Sequence, residues 1–391
     1  MKERVTMDFN ISDELKMLQK SVRDFAKKEI LPTVAEDERE HKFQVEIVKK
    51  MGKLGFLGCP IPIEYGGNEM GYLAHAICTE EIARVSGSLR AAFNMQTMGT
   101  ALEIYKFGNE NQKKKYIPKL VSGEWLGCLG ITEPEAGTDT AAMKSTATKE
   151  GDSYILNGQK TWITWGSVAD VGIHYAYTDR SKKHTGLSAF ILEMHSPGIS
   201  TVDIKHKMGW HACPTSEIFF DNVKVPKENL LGNEGEGFGY MMGGLDNTRL
   251  TAAAGGVGVC QAFIDESVKY AQERVQFGQA IGKFQLIQEQ IGRMVVETEA
   301  ARLLVYRCAV QKDEGKRNTL ETYIAKYYSC DAASRMADEA LRILGAYGYS
   351  GEYPVERHLR DAKVYQILEG SANILKTLIG MDALGYRRAN G

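Results

Sequence analysis

Apolar residues recur at three- and four-residue steps at both ends of this chain, whereas its middle carries short runs of β-branched and aromatic residues. Leu15, Leu18, Val22, Phe25 and Ala26 fall on one face of a helix that Ser12 can cap, with Asp13 and Glu14 in the first turn where the helix dipole favours negative charge. Pro60, Pro62, Gly66 and Gly67 interrupt the helical pattern, which resumes over residues 74–82 and 93–105. From about residue 125 to 226 the texture changes. Residues 154–156, 171–177, 189–192 and 218–220 predict strands, and Glu150-Gly151-Asp152 and Asn157-Gly158 read as turns between them. Past a glycine-rich stretch at 232–244 the helical period returns. Ile287, Ile291, Met294, Thr298, Ala301 and Val305 mark the buried stripe of one long helix.

This order predicts an α+β chain in three blocks: a helical domain over 1–124, a β-barrel or sandwich over 125–236 and a second helical domain over 237–391. A length of 391 residues exceeds what one small core supports. With 48 basic against 50 acidic residues no global field holds a polyanion, and the run Lys113-Lys114-Lys115 has no interleaved aromatics, so it reads as a solvated helix face. Nucleic acid is thereby excluded as a partner. Cys59, Cys78, Cys128, Cys213, Cys260, Cys308 and Cys330 are odd in number and never spaced as C-x-x-C, which indicates neither a disulfide framework nor a metal site. They read as buried thiols of a reducing compartment. Residues Met1 to Thr6 lack an apolar run and include Glu3, unlike a targeting peptide, and no apolar run is long enough to span a membrane. The expected location is the cytoplasm.

The glycine-rich stretches at 232–239 and 255–258 lack G-x-G-x-x-G after a strand, which argues against a nicotinamide dinucleotide as primary cofactor. One carboxylate draws attention. Glu369 lies between apolar Ile367-Leu368 and the turn Gly370-Ser371. Desolvation there would raise its pKa and suit it to removing a weakly acidic C–H proton. On this segment alone a surface Glu at a helix start stands as the alternative.

Five further segments follow in order along nearly the whole chain: Gly130-Ile131-Thr132-Glu133-Pro134-Glu135-Ala136-Gly137-Thr138-Asp139, Asn157-Gly158-Gln159-Lys160-Thr161-Trp162-Ile163-Thr164, Arg274-Val275-Gln276-Phe277-Gly278, Ile343-Leu344-Gly345-Ala346-Tyr347-Gly348-Tyr349 and Glu352-Tyr353-Pro354-Val355-Glu356-Arg357. With Glu369 they resemble the acyl-CoA dehydrogenase family. The resemblance implies a C-terminal four-helix bundle, FAD wedged between the β block and that bundle, and α,β-desaturation of an acyl-CoA thioester. Glu369 then takes the α-proton while the β-hydrogen leaves as hydride toward the flavin, and electrons pass to an electron-transfer flavoprotein. It further implies that Leu129, Ile131 and Thr132 line the flavin, Trp162 covers its ring, Thr164 reaches its N5 edge, Ser371 and Asn373 belong to the cofactor site, and Thr138 lies near the pyrophosphate or the CoA. Arg274, Phe277, Gln285, Arg342, Gly345 and Gly348 resemble residues that reach the FAD of a neighbouring subunit, which implies an oligomer, usually a homotetramer. A planar guanidinium fork suits pyrophosphate. The N–H of the catalytic Glu and a ribityl hydroxyl polarise the thioester in the family, and Gly370 permits the tight turn this needs. Asp246 and Arg249 match positions on the CoA. Some relatives carry the base at the position of Thr248, which has no carboxylate here.

Arg90, in Ser86-Gly87-Ser88-Leu89-Arg90-Ala91, resembles the arginine with which glutaryl-CoA enzymes hold the distal carboxylate. A guanidinium in an acyl pocket is costly without such a partner. Ala83, Ala91 and Leu368 depart from the decarboxylating type, so glutaconyl-CoA is the expected product. The alternatives left open are cyclohexanecarboxyl-CoA or another alicyclic or short-chain acyl group, a flavoprotein oxidase on the same scaffold, and a catalytically silent acyl-CoA-binding subunit.

Overall fold

A computed structural model describes residues 10–390; the first residues, on which the expectation about a leader rests, lie outside them. The helical pattern at the start gives α1 (Asp13–Phe25), whose N-cap Ser12 accepts from the N–H of Leu15 at 3.2 Å, and which buries Val22 and Phe25. There follow α2 (Val34–Glu40), α3 (Val45–Lys53), α4 (Gly71–Ala83), α5 (Gly87–Asn94), α6 (Leu102–Phe107) and α7 (Glu110–Val121). Every side chain of α5 is buried, and its cap Ser86 accepts from the N–H of Leu89 at 3.1 Å. A π-helical turn, Met95–Ala101, joins α5 to α6.

The middle block forms one sheet from β1 (Gly127–Gly130), β2 (Thr146–Glu150), β3 (Ser153–Thr164), β4 (Val171–Tyr177), β5 (Leu187–Glu193), β6 (Ile199–Asp203), β7 (Thr215–Pro226) and β8 (Leu230–Leu231). The order is β6-β7-β3-β2-β4-β5-β8, with β1 parallel to β4. Pairing ends at β6 and β8, so hydrogen bonds do not close a barrel. The expected turn at Asn157-Gly158 is instead a bulge inside β3, where the register against β7 shifts between Leu156 and Gly158. Gly158 has φ +144°, and a Cβ there would lie 2.7 Å from Ser145 Cα.

The last block comprises α8 (Gly237–Glu273), a two-stranded hairpin β9 (Val275–Gln276) and β10 (Gln279–Ala280), then α9 (Gln285–Asp313), α10 (Thr319–Leu344), α11 (Val355–Tyr365) and α12 (Ala372–Ala383). The expected four-helix bundle is three long helices, α8, α9 and α10, with the shorter α11 and α12 against α10 and α4 of the first block against α8 and α9. The glycine-rich stretch is turn only as far as Glu236; from Gly237 it is the start of α8. On α9, Met294, Thr298, Ala301 and Val305 are buried as the stripe predicts, while Ile287 and Ile291 pack at the edge of the core. All seven cysteines are free and buried. Among the described residues no helix is long and apolar enough to cross a membrane, and no group of three metal-ligating side chains forms.

Candidate active site

Glu369 sits in the turn between α11 and α12. The helix-start alternative is met only in part: Ser371, not Glu369, caps α12, accepting from the N–H of Ile374 at 3.4 Å. Glu369 has φ +56° and Gly370 +94°, two successive left-handed residues. For a residue with a Cβ that conformation costs about 1–3 kcal/mol and persists where the surroundings impose it. Two cations do so. Arg249 Nε donates to the carbonyl of Glu369 at 2.8 Å, and Lys326 Nζ donates to that of Gly370 at 2.8 Å. Among the described residues the N–H of Glu369 has no acceptor.

The carboxylate itself is gripped from two helices. The Thr248 hydroxyl on α8 donates to one oxygen, and Asn94 Nδ2 on α5 approaches the other at 3.4 Å. Thr251 donates to Asn94 Oδ1, which turns the amide nitrogen toward Glu369. The desolvating role given to Ile367 does not hold, because that side chain is 68% exposed and Glu369 only half-buried; the groups around the carboxylate are polar.

Arg90 lies one helical turn before Asn94 on α5, so the two share a face. Its side chain is 1% exposed, with Cζ 5.1 Å from the ring centroid of Tyr365 and 5.9 Å from that of Trp210. These aromatic faces offset part of the cost of burying the cation. Its Nε and one terminal nitrogen have no hydrogen-bond partner among the described residues, and neither has the Tyr365 hydroxyl. Gly255 on α8 makes room: a Cβ there would meet Arg90 Nε at 2.5 Å. Nearby His75 stacks on Phe93 at 4.5 Å, and burial pushes its pKa down to about 3, so it is neutral. Burial also lowers the pKa of Lys326, against the pull of Glu369.

Asp246 and Arg249 form the i,i+3 ion pair at 2.9 Å, and Asp246 also accepts from the Thr319 hydroxyl at 2.6 Å. The pair is mostly buried and lines a cavity of about 390 Å³. Thr138 is exposed on its loop and does not line that cavity.

The expected flavin residues fall into two groups. Leu129 and Ile131 are buried at the end of β1 and just beyond it, and the carbonyl of Thr132 accepts from the N–H of Thr161 at 2.9 Å, which brings β3 alongside. Between Lys160 and Ile163 β3 bulges; there Trp162 has φ +60° and an indole 58% exposed, while Thr164 returns to the ladder opposite Thr215. Lys160, fully buried, bonds Glu133 at 2.7 Å and fixes the loop that follows Thr132. An outward indole held in strained backbone beside this segment fits one face of a planar ring system. The second group belongs to the last block: Arg274 Cζ lies 5.5 Å from the Tyr347 ring, Phe277 is 94% exposed at φ +50°, Gln285 opens α9, Arg342 and Gly345 end α10, and Gly348 lies in the 3-10 turn Gly345–Tyr349 that follows. Among the described residues no hydrogen bond, ion pair or ring contact joins the two groups. Asn373 is exposed on α12.

Asn94, Thr251, Lys326, Trp210 and Tyr365 were not singled out from the sequence. For Asn94 a signal existed in its spacing of four from Arg90, and for Lys326 in a charge among the uncharged residues that α10 buries. Trp210 and Thr251 had none.

Family models described as the N-terminal, middle and C-terminal domains of acyl-CoA dehydrogenase match residues 12–124, 128–223 and 235–384. The chain belongs to the acyl-CoA dehydrogenase family, whose members are oxidoreductases. It is 54% identical to a glutaryl-CoA dehydrogenase of Desulfococcus multivorans, over 98% of this chain and 100% of that one. With the CarC subunit of the caffeyl-CoA reductase-Etf complex of Acetobacterium woodii the identity is 41%, covering 94% and 97%. The solved glutaryl-coenzyme A dehydrogenase in complex with glutaryl-CoA superposes with a TM-score of 0.97 at 54% identity, covering 98% of each chain. PigA with FAD and proline superposes with a TM-score of 0.93 at 30% identity, covering 97% and 99%.

Proposed function

We propose that this chain is an FAD-dependent glutaryl-CoA dehydrogenase that forms glutaconyl-CoA. The observation that carries the reading is Arg90: a buried guanidinium with unpartnered nitrogens, one helical turn from the amide that touches Glu369. A dicarboxylic acyl group answers this arrangement, with its α-carbon at Glu369 and its far carboxylate at Arg90. An apolar ring would leave the cation unpaired.

Glu369 takes the α-proton, oriented by Thr248 and Asn94. Its own N–H, without an internal acceptor, faces the thioester oxygen and stabilises the charge that develops there. Leu129, Ile131, Thr132, Trp162 and Thr164 would hold the FAD ring, with Ser371 and Asn373 behind the base and Thr138 at the pyrophosphate; Arg274, Phe277, Gln285, Arg342, Gly345 and Gly348 would reach the cofactor of a neighbouring copy. When bound, FAD supplies the two-electron acceptor for the β-carbon. Asp246, Arg249 and the Gly370 turn hold the CoA side. Ala83 and Ala91 are buried and apolar and Leu368 packs into the core, so these positions offer no polar group to steer a decarboxylating dienolate. The reading includes an electron-transfer flavoprotein as acceptor, a homotetramer and, from seven buried free thiols, a cytoplasmic location.

Anaerobic titration with glutaryl-, butyryl- and cyclohexanecarboxyl-CoA tests the substrate. Fast flavin bleaching by glutaryl-CoA with glutaconyl-CoA as product is expected. Bleaching by cyclohexanecarboxyl-CoA alone would transfer the reading to an alicyclic enzyme, crotonyl-CoA would establish decarboxylation, and rapid reoxidation by air would make the protein an oxidase.

A further inference from the structure

The cavity beside the base turn is unusually cationic. Four guanidinium groups line it: Arg249 from α8, Arg317 just ahead of α10, and Arg387 and Arg388 from the segment after α12. One carboxylate, Asp246, faces them, and Arg249 and Thr319 already engage it. The first turn of α10, a 26-residue helix, adds the positive end of its dipole at Thr319. Such a surplus suits a multiply charged anion, and guanidinium forks suit phosphate oxygens.

The terminal segment is built into this wall. Tyr386 N–H donates to Met381 O at 3.0 Å, Ala389 N–H donates to Asp382 Oδ1 at 2.8 Å, and Arg388 donates to Asp382 O at 3.2 Å. Asn390 then pins the segment across α10, accepting from the N–H of Leu320 at 3.1 Å and donating to Glu321 at 2.9 Å. Folding back in this way brings Arg387 and Arg388 opposite Arg249. The same Arg249 reaches the carbonyl of Glu369 at 2.8 Å, so one side chain spans from the cavity to the base turn.

We infer that Arg387 and Arg388 bind phosphate groups at the nucleotide end of the acyl carrier, so that the folded-back C-terminal segment selects CoA esters over unphosphorylated pantetheine thioesters. The inference rests on the acyl-CoA reading above. None of its contacts involves the acyl group.

The test compares the flavin-loaded wild type with Arg387→Gln/Arg388→Gln on an acyl-CoA, the 3′-dephospho-CoA ester and the pantetheine ester of the same acid, with CoA binding read separately by calorimetry. The expected result is a loss on the order of 10- to 100-fold in kcat/KM for the CoA ester relative to the pantetheine ester, a matching loss of CoA affinity, and recovery of most of both in Arg387→Lys/Arg388→Lys. The dephospho ester tells whether the 3′-phosphate or the diphosphate is held. An unchanged ratio between the esters, or equal losses on both, would overturn the inference. A wild type that binds CoA by calorimetry but is bleached by no thioester would overturn the dehydrogenase reading instead and leave the anion site standing.

Discussion

Lys326 Nζ lies 2.8 Å from the carbonyl oxygen of Gly370, and the lysine is wholly buried. Together with Arg249 on the preceding carbonyl it fixes two consecutive peptide units from behind, which keeps Glu369 left-handed and its N–H directed away from the protein's own acceptors. Lys326→Met removes the donor at similar length. Rapid-mixing measurement of flavin bleaching should show kcat lowered on the order of 10²-fold with KM much less affected, because misplacing a base by a fraction of a bond length costs this much. A variant with wild-type kcat would show that the turn holds without the lysine.

Glu369→Gln keeps the shape and the contact with Thr248 but removes the base. Substrate-dependent bleaching should fall by roughly 10²–10⁴-fold while the protein still purifies yellow. Retention of more than about a tenth of the rate would reassign the base.

Arg90→Leu separates the substrates. Glutaryl-CoA should lose about 2–5 kcal/mol of productive binding, since its far carboxylate would be buried unpaired, whereas butyryl-CoA should change little. Steady-state kcat/KM for both esters decides it, and parallel losses would mean that Arg90 only shapes the pocket.

Glu103 on α6 is 1% exposed and accepts from the Tyr175 hydroxyl at 3.1 Å; burial pushes its pKa up to about 8. The folded state therefore keeps a proton that the unfolded chain releases near the ordinary carboxylate pKa of about 4.3, so this group's contribution to stability is full below that value and is lost as pH rises toward 8. Glu103→Gln should gain thermal stability relative to wild type between pH 5 and about 8. A difference in Tm that stays flat across a pH series would show that the carboxyl is ionised throughout.

Phe277 is 94% exposed at the tip of the β9–β10 hairpin, and Arg274 stands just before its base. Phe277→Ser and Arg274→Ala should weaken self-association and lower the flavin content of the purified protein together. Light scattering with the visible spectrum reads both, and a monomeric variant with full flavin would separate the two properties.

The helical and β blocks were legible because periodicity reports which face is buried, as α9 shows with Met294, Thr298, Ala301 and Val305. Asn157-Gly158 misled because a glycine at positive φ serves a bulge as well as a turn, and only pairing with β7 distinguishes them. At the site, the motif located Glu369 but assigned its surroundings to its sequence neighbours; the groups that touch it come from α5 and α8, far away in sequence. The terminal arginines carried no local signal, since the bonds that fold their segment back are made by Asn390 to α10 and by Arg388 and Ala389 to α12.

Gly255 beneath Arg90 ties two distant positions into one unit of change. Gly255→Ala alone would drive a methyl group against the guanidinium, and Arg90→Leu alone would leave a hollow above α8. Made together, the leucine frees the guanidinium side of the new methyl group while the Tyr365 ring, 2.8 Å from the same Cβ, must still shift, so their effects on stability should be non-additive. A shift of this scaffold toward apolar acyl groups would thus run through a paired replacement at 90 and 255, with either single variant as the less stable intermediate.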